Sequence, residues 1–342
     1  MEQYDVIIIG AGPAGLICAE KLIGSGLSVL LIEKDTVFGD KVCAGGLTRK
    51  DLSVFHIPDE IIAQKVYKTA VHSPKRFSQA ETPDPIVVTI DRKDLGRFQK
   101  DRLEGSEIKI LSACKVTEIK SDRIVTSDGR EFAFKHLVGA DGYASIVRRY
   151  LKLPLKRKLI GIQYMVPVSG LDPRLEIFLD SKNFHAWYGW IFPHREQIAV
   201  GCCCDTRFMS SAKLKKNFHR WLERRNIDIS HAEYQSAPIS YDYRGLKFGN
   251  IFLLGDAAGM ASGLTGEGIY QSLISGIEVA GYIMGKKEES EEMKFVRRYN
   301  RIQERIMYFL IYVGPFRALI HEVIILMLNN KRFKAKINKG FS

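Results

Sequence analysis

Gly10, Gly12 and Gly15 follow the apolar run Tyr4 to Ile9 with the spacing G-x-G-x-x-G, and Leu16 to Ile23 after them suits a helix. Gly10 permits the tight turn. Gly12 leaves the helix start open to a pyrophosphate, and Gly15 lets helix and strand pack closely. No lysine is needed there, because oriented backbone amides supply the positive end of the helix. Ser28 to Ile32 is a second short apolar run, and it ends at Glu33, whose carboxylate can accept both ribose hydroxyls of an adenosine. These residues together predict an adenine dinucleotide; the alternative is an ordinary glycine turn. Cys43 lies in a glycine-rich stretch, Thr36 to Thr48, that reads as a functional loop. Asp141-Gly142 closes a later run, and Gly255-Asp256 follows another.

The elements that must hold these residues follow from patterning. Strand, glycine turn, helix and strand within one unit call for parallel pairing. Asp91 to Leu103 suits a helix, and Ile108 to Ile119, Arg123 to Ser127 and Glu131 to Val138 read as a meander turning at Asp128-Gly129. Short strands are expected in Lys65 to Thr89. From about Lys156 to Tyr243, runs such as Leu159 to Val166, Leu175 to Leu179 and Ile198 to Cys204 predict a mainly antiparallel sheet covering a ligand, interrupted by a helix at Ser211 to Arg224. Ile251 to Leu254 is a buried strand, and a long helix is expected from near Gly268 to Met284. The fold class is α/β and α+β: a Rossmann-like dinucleotide domain interleaved with an antiparallel substrate domain. Expected bounds are 1–64 with 90–155 and 244–285 for the first, 65–89 with 156–243 for the second, and 286–342 for a C-terminal helical segment and basic tail.

Composition narrows the class. With 342 residues and 46% hydrophobic content, a mainly disordered chain is excluded. The net charge of +12 favours anionic partners without choosing among them. Six cysteines without a CxxC pair fit reduced thiols better than a disulfide framework. Cys202 to Cys204 would alternate across a strand, so they read as packing and no metal site is assigned. The start is no signal peptide, because two acids precede its apolar run and glycines break it. Tyr308 to Leu328 is apolar but interrupted by Pro315, Arg317, His321 and Glu322, which argues against a single span. The tail beyond Asn329 carries Lys331, Arg332, Lys334, Lys336 and Lys339 without an acid. Two readings stand: a helix packed on the body with a frayed tail, or a monotopic helix on an anionic bilayer.

GAGPAG, Glu33, Asp141-Gly142 and GDAAG at Gly255 to Gly259 resemble, in this order, the flavoproteins of the para-hydroxybenzoate hydroxylase and glutathione reductase type. KVCAGGL from Lys41 to Leu47, YGWIFP from Tyr188 to Pro193, and GDAAGMASGLTGEGIYQSLISG from Gly255 to Gly276 narrow this to a resemblance to the geranylgeranyl reductase family, over most of residues 1–285. The resemblance implies FAD, with contacts from Gly10, Gly12, Ala14, Gly15, Glu33, Cys43, Ala44, Gly46, Arg92, Val116, Asp256, Gly266, Gly268 and Ile269. It implies a helix start at Gly266 to Ile269 under the flavin pyrimidine ring, where amides stabilise negative charge on reduced flavin. It implies a substrate wall of Tyr188, Trp190, Phe192 and Pro193, and reduction of isoprenoid double bonds. Tyr188, Trp190 and Phe192 would share one strand face, with Trp187 pointing away; the plain alternative is an aromatic core.

An isolated alkene has no carbonyl to absorb charge, so its reduction needs a proton as well as a hydride. Cys43 is the candidate donor or relay, and its alternative role is packing. His185 and His194 flank the aromatic wall and read as structural. No second glycine fingerprint opens a nicotinamide domain, so the electron donor stays open between a transient NAD(P)H encounter, a ferredoxin-like reductant and a quinol. The implied partners are a prenylated or other apolar small molecule, an anionic membrane surface and an acidic redox protein, with no nucleic-acid module. The implied location is cytoplasmic, peripheral on the inner face of the cell membrane. Two rival functions share the flavin: an aromatic monooxygenase or halogenase, and a non-catalytic flavin-binding sensor or assembly protein.

Overall fold

Runs of apolar residues with no polar alternation belong in strands covered on both faces, and β1 (Glu2–Ile9) and β2 (Val29–Ile32) are such strands. They pair in parallel, with α1 (Pro13–Lys21) between them in sequence. In the computed structural model, which describes residues 1–330 except 55, 169 and 171, they lie at the centre of an eight-stranded sheet. On one side β1 pairs in parallel with β11 (Glu131–Gly139), then β18 (Ile251–Leu253), then antiparallel β17 (Lys247–Phe248). On the other side β2 pairs in parallel with β8 (Lys109–Leu111). The meander is β9 (Val116–Ile119), β10 (Arg123–Thr126) and β11, with antiparallel pairing. The single run expected over Ile108 to Ile119 is therefore two strands. Ala113, at φ 54°, breaks it, and the amides of Ala113 and Cys114 turn to the carbonyls of Asp35 and Glu33.

The second sheet has seven strands in the order β16 (Glu233–Ser240), β12 (Lys158–Pro167), β15 (Gln197–Asp205), β14 (Gly189–Pro193), β13 (Arg174–Phe178), β5 (Lys68–His72) and β6 (Phe77–Glu81). All its pairs are antiparallel except β13 with β5. A third, small sheet joins β3 (Gly46–Thr48), β7 (Val87–Ile90) and β4 (Ile62–Val66). The stretch from Lys65 to Thr89 thus divides between sheets, because β7 pairs with the strand that follows the Cys43 loop. Cys202, Cys203 and Cys204 are all buried in β15 and belong to the second core, with Trp187, Phe218 and Trp221.

The remaining helices close the faces. These are α2 (Arg49–Val54), α3 (Arg92–Asp101), α4 (Ile146–Tyr150), α5 (Ser181–Phe184), α6 (Ser211–Arg224), α7 (Gly255–Ala258), α8 (Ile269–Ile283), α9 (Glu291–Tyr312) and α10 (Arg317–Asn329). Helix α8 packs along α1, α6 lies on β15, and α10 lies on β6. Gly314 and Pro315 separate α9 from α10, whose axes differ by 107°. No single helix among the described residues is long and apolar enough to cross a membrane. The basic tail from Lys331 lies outside the described residues.

Candidate active site

Helix starts differ in how their first amides are satisfied. Helices α3, α4, α5, α6 and α9 begin at Asp91, Ser145, Asp180, Ser210 and Ser290, each of which accepts a backbone amide with its side chain. Helices α1, α7, α8 and α10 begin without such a cap; of these, α1 and α8 start at glycines, Gly12 and Gly268, where an external acceptor would fit against the first amides. The residues around them fit a dinucleotide. A Cβ on Gly15 would stand 2.0 Å from the Gly10 carbonyl oxygen, and one on Gly10 2.5 Å from that of Ala140. A Cβ on Gly12 would meet nothing within 4 Å. The loop is therefore tight where protein packs on protein and open at Gly12, where a pyrophosphate would fit. Glu33 Oε2 accepts the Ala11 amide at 2.6 Å, which fixes the carboxylate beside the loop while leaving lone pairs for hydroxyls. Val116 starts β9, two residues beyond Cys114, whose amide donates to the Glu33 carbonyl at 2.9 Å.

The late motif meets the early one. A Cβ on Gly255 would touch Ala14 at 3.3 Å, and one on Gly268 would lie 3.8 Å from Asp256 Oδ1. Asp256 lies in the first turn of α7 and is reached by Lys41, whose Nζ lies 2.5 Å from Oδ2. Lys41 belongs to the Cys43 loop, so this pair ties the loop to α7. Arg92 begins α3; its carbonyl oxygen would be 2.2 Å from a Cβ on Gly39, and its buried Nε has no partner among the described residues. Gly266, at φ 70°, shapes the turn into Gly268 and Ile269.

The Cys43 loop is held from the second sheet. Gln163 Nε2 donates to the Cys43 carbonyl at 3.1 Å, and His194 Nε2 lies 3.1 Å from the Ala44 carbonyl. A Cβ on Gly46 would run into the Phe192 ring at 2.4 Å. The Pro193 carbonyl accepts the Thr89 hydroxyl at 2.6 Å. Cys43 itself is half-buried, and its Sγ accepts the Gly45 amide at 3.4 Å. Tyr188 hydroxyl donates to the Thr265 carbonyl at 2.5 Å, and its ring meets Trp190 edge to face at 6.0 Å. Trp187 is fully buried and donates to the Gly263 carbonyl at 2.8 Å. The aromatic strand, the Cys43 loop and the turn before α8 are thus brought together. Trp190 Nε1 is buried without a partner among the described residues.

Four residues here take places that sequence reasoning does not give them. Gln163 is the single amide in the run Leu159 to Val166, which is the signal that could have found it. His194 was visible, but its target was not. Lys41 required the fold to bring it to Asp256, 215 residues away. Glu267 stands between Gly266 and Gly268; burial, then the nearby Asp51 charge, pushes its carboxyl up to about 7, with Lys50 opposing. Burial also pushes His194 below the usual imidazole range, so it is neutral near pH 7. A broad surface depression of about 670 Å³, lined by Ala212, Lys215, Lys216, His219, Arg220 and Glu223 on α6, contains none of these residues.

The pyridine nucleotide-disulphide oxidoreductase model matches residues 4–147. The open glycine loop, the uncapped α1 and α8 and this match define an FAD-dependent oxidoreductase. An uncharacterized protein of Methanosarcina barkeri is 31% identical over 92% of this chain and 84% of its own length. The digeranylgeranylglycerophospholipid reductase of Methanosarcina acetivorans is 28% identical over 81% of this chain and 74% of its own. The chain belongs to the geranylgeranyl-reductase-like family. Its fold is that of a geranylgeranyl bacteriochlorophyll reductase-like protein from Thermoplasma acidophilum, with a TM-score of 0.79 at 18% identity, over 97% of this chain and 92% of that one.

Proposed function

We propose that this protein reduces carbon–carbon double bonds of an isoprenoid chain on a lipid-like substrate. The observation that carries the reading is the position of the Cys43 loop, which meets Phe192 of the aromatic strand at Gly46, is held by Gln163 of β12 and by His194, and is tied through Lys41 to Asp256. Bound FAD in its reduced form supplies the hydride. Of the chain's own residues, Gly12, Glu33, Arg92, Asp256 and the amides of α1 and α8 hold the cofactor. Tyr188, Trp190, Phe192 and Pro193 line the apolar side and exclude water from the reacting carbons. Cys43 Sγ gives its proton to the second alkene carbon and recovers it from water, so a hydride and a proton together saturate the bond. Gln163 and His194 set the height of the loop and hence the thiol position. Segments 1–64, 90–155 and 244–285 serve the cofactor, and 65–89 with 156–243 serve the substrate. The electron donor is NAD(P)H or an acidic ferredoxin-like protein.

The deciding experiment is anaerobic. The flavoprotein is reduced, mixed with a geranylgeranyl lipid, and followed by flavin absorbance and product mass. Reoxidation with a mass gain of two hydrogens per bond is expected. Substrate-stimulated oxygen uptake with no reaction under anaerobic conditions would instead mark a monooxygenase or halogenase. In Cys43→Ala, single-turnover reoxidation is expected to slow by about 10²–10⁴-fold with FAD retained, the range for loss of a general acid. An unchanged rate would assign Cys43 to packing alone.

A further inference from the structure

We propose that the corner formed by α9, residues 313–316 and α10 is a docking surface for the interface of an anionic lipid bilayer. Side chains that point away from the body here are large and apolar. Ile302, Ile306 and Phe309 share one face of α9 by helical spacing, and Leu319, Val323, Leu326 and Met327 share one face of α10. Between them stand Tyr312 at 76% and Phe316 at 65% exposure. Phe77 at the edge of β6 extends the surface, because Asn329 Nδ2 donates to its carbonyl at 3.0 Å. Singly exposed apolar residues are ordinary, but a contiguous set of this kind marks a site of association.

The opposite faces of the same helices are firmly seated. Met307, Leu310 and Ile311 enter the second core, and Ile325 is fully buried. Buried Arg317 donates to the carbonyls of Leu310 at 2.5 Å and Ile311 at 2.9 Å, which closes the end of α9 and holds the corner. The exposed apolar face is therefore presented by a fixed support and is not the outer side of a loose helix.

Charge selects the occupant. Arg298, Arg301 and Arg305 run along one edge of the α9 stripe, exposed and without an ion pair among the described residues. Lys75 stands beside α10, its amide donating to Glu322. The two acids nearby are already neutralised, Glu322 by Arg76 and Glu304 by Arg157. The sequence after α10 adds Lys331, Arg332, Lys334, Lys336 and Lys339 with no acid. Two copies meeting through this face would set like charges against each other across a two-fold axis. An anionic bilayer offers both an apolar layer and opposite charge, and reversible attachment needs these two signals together. The aromatic corner of Phe309, Tyr312 and Phe316 suits the headgroup level.

The test uses the full chain loaded with FAD. Flotation is measured with vesicles of phosphatidylcholine alone and of phosphatidylcholine with about a third phosphatidylglycerol. The protein is expected to float with the anionic vesicles and to be released by salt. Phe309→Ser with Phe316→Ser, and separately Arg301→Glu with Arg305→Glu, should each weaken partitioning about tenfold or more. Flavin absorbance and circular dichroism verify that the variants are folded. No flotation at either composition, or equal flotation of parent and variants, would overturn the proposal. So would a dimer in solution that the phenylalanine variant dissociates while no vesicle is bound. Turnover of a prenyl substrate in detergent micelles is read in parallel, and the variants should leave it unchanged. Failure of that turnover bears on the reaction alone, and failure of flotation bears on this surface alone.

Discussion

At the residue scale the glycine loop separates ligand-facing from protein-facing positions by a fraction of a nanometre. Gly12→Ala adds a methyl that touches no protein atom within 4 Å, so the apoprotein should melt as the parent does while FAD affinity falls at least tenfold. Gly15→Ala sets its methyl against the Gly10 carbonyl and should lower the melting temperature of the apoprotein itself. Calorimetry of the apoproteins with flavin titration tells the two apart. Glu267 offers a second test, in pH. Its carboxyl titrates at about 7 in the fold against an ordinary 4.5, so the native state holds a proton that the unfolded chain releases. Its effect is therefore absent below pH 4.5, grows unfavourable between 4.5 and about 7, and is constant above that. Glu267→Gln should stabilise the apoprotein by up to about 3 kcal/mol near pH 8 and by nothing near pH 4. Denaturant midpoints at the two pH values measure it.

At the element scale α1 and α8, the two helices that start at uncapped glycines, are packed against each other. A Cβ on Gly276 of α8 would stand 2.4 Å from Ile17 Cγ2 and 2.5 Å from the Ala14 carbonyl oxygen of α1. Gly276→Ala should cost about 1–3 kcal/mol, typical of overpacking, and should weaken FAD binding because both helix starts shift together. Thermal melts with and without added FAD read both effects. Elements of this kind were open to sequence reasoning where local chemistry decides them. The α1 turn shows in its glycines, α6 matches the pattern over Ser211 to Arg224, and α8 begins at Gly268 as expected. What could not be read is long-range. Nothing local in Ile108 to Ile119 says that its halves join different partners, and nothing near Val87 to Ile90 says that it pairs with Gly46 to Thr48. The clamp of Gln163 and His194 on the Cys43 loop is likewise a product of topology, since both come from the second sheet.

At the scale of the whole molecule, the cofactor sheet and the aromatic sheet must hold a fixed separation for the Cys43 loop to be useful. The polar junction between them centres on Asp242, which has no solvent exposure. Its carbonyl accepts Arg148 of α4 at 2.8 Å, and its carboxylate accepts the Lys156 amide at 2.8 Å and Arg157 and Arg244 at 3.1 Å each. Arg157 carries the connection to α9 through Glu304, and Arg148 carries it to α7 through the Ala257 carbonyl at 3.1 Å. Burial alone would push the Asp242 carboxyl up, but the Lys156 amide, Arg157 and Arg244 outweigh it and hold it below its usual range. An acid with a lowered folded pKa stabilises fully above its unfolded value and loses that contribution as pH falls through the folded one. Asp242→Asn removes the charge while buried Arg148 keeps its own, a mismatch that should cost about 3–5 kcal/mol at neutral pH. The variant should also show a flatter loss of stability below pH 4 than the parent, because the group that titrates there is gone. Equilibrium unfolding from neutral pH into that range, followed by tryptophan fluorescence from Trp187, Trp190 and Trp221 in the second core, reads both outcomes. A variant as stable as its parent at neutral pH would show that the helix and strand contacts alone hold the two sheets together.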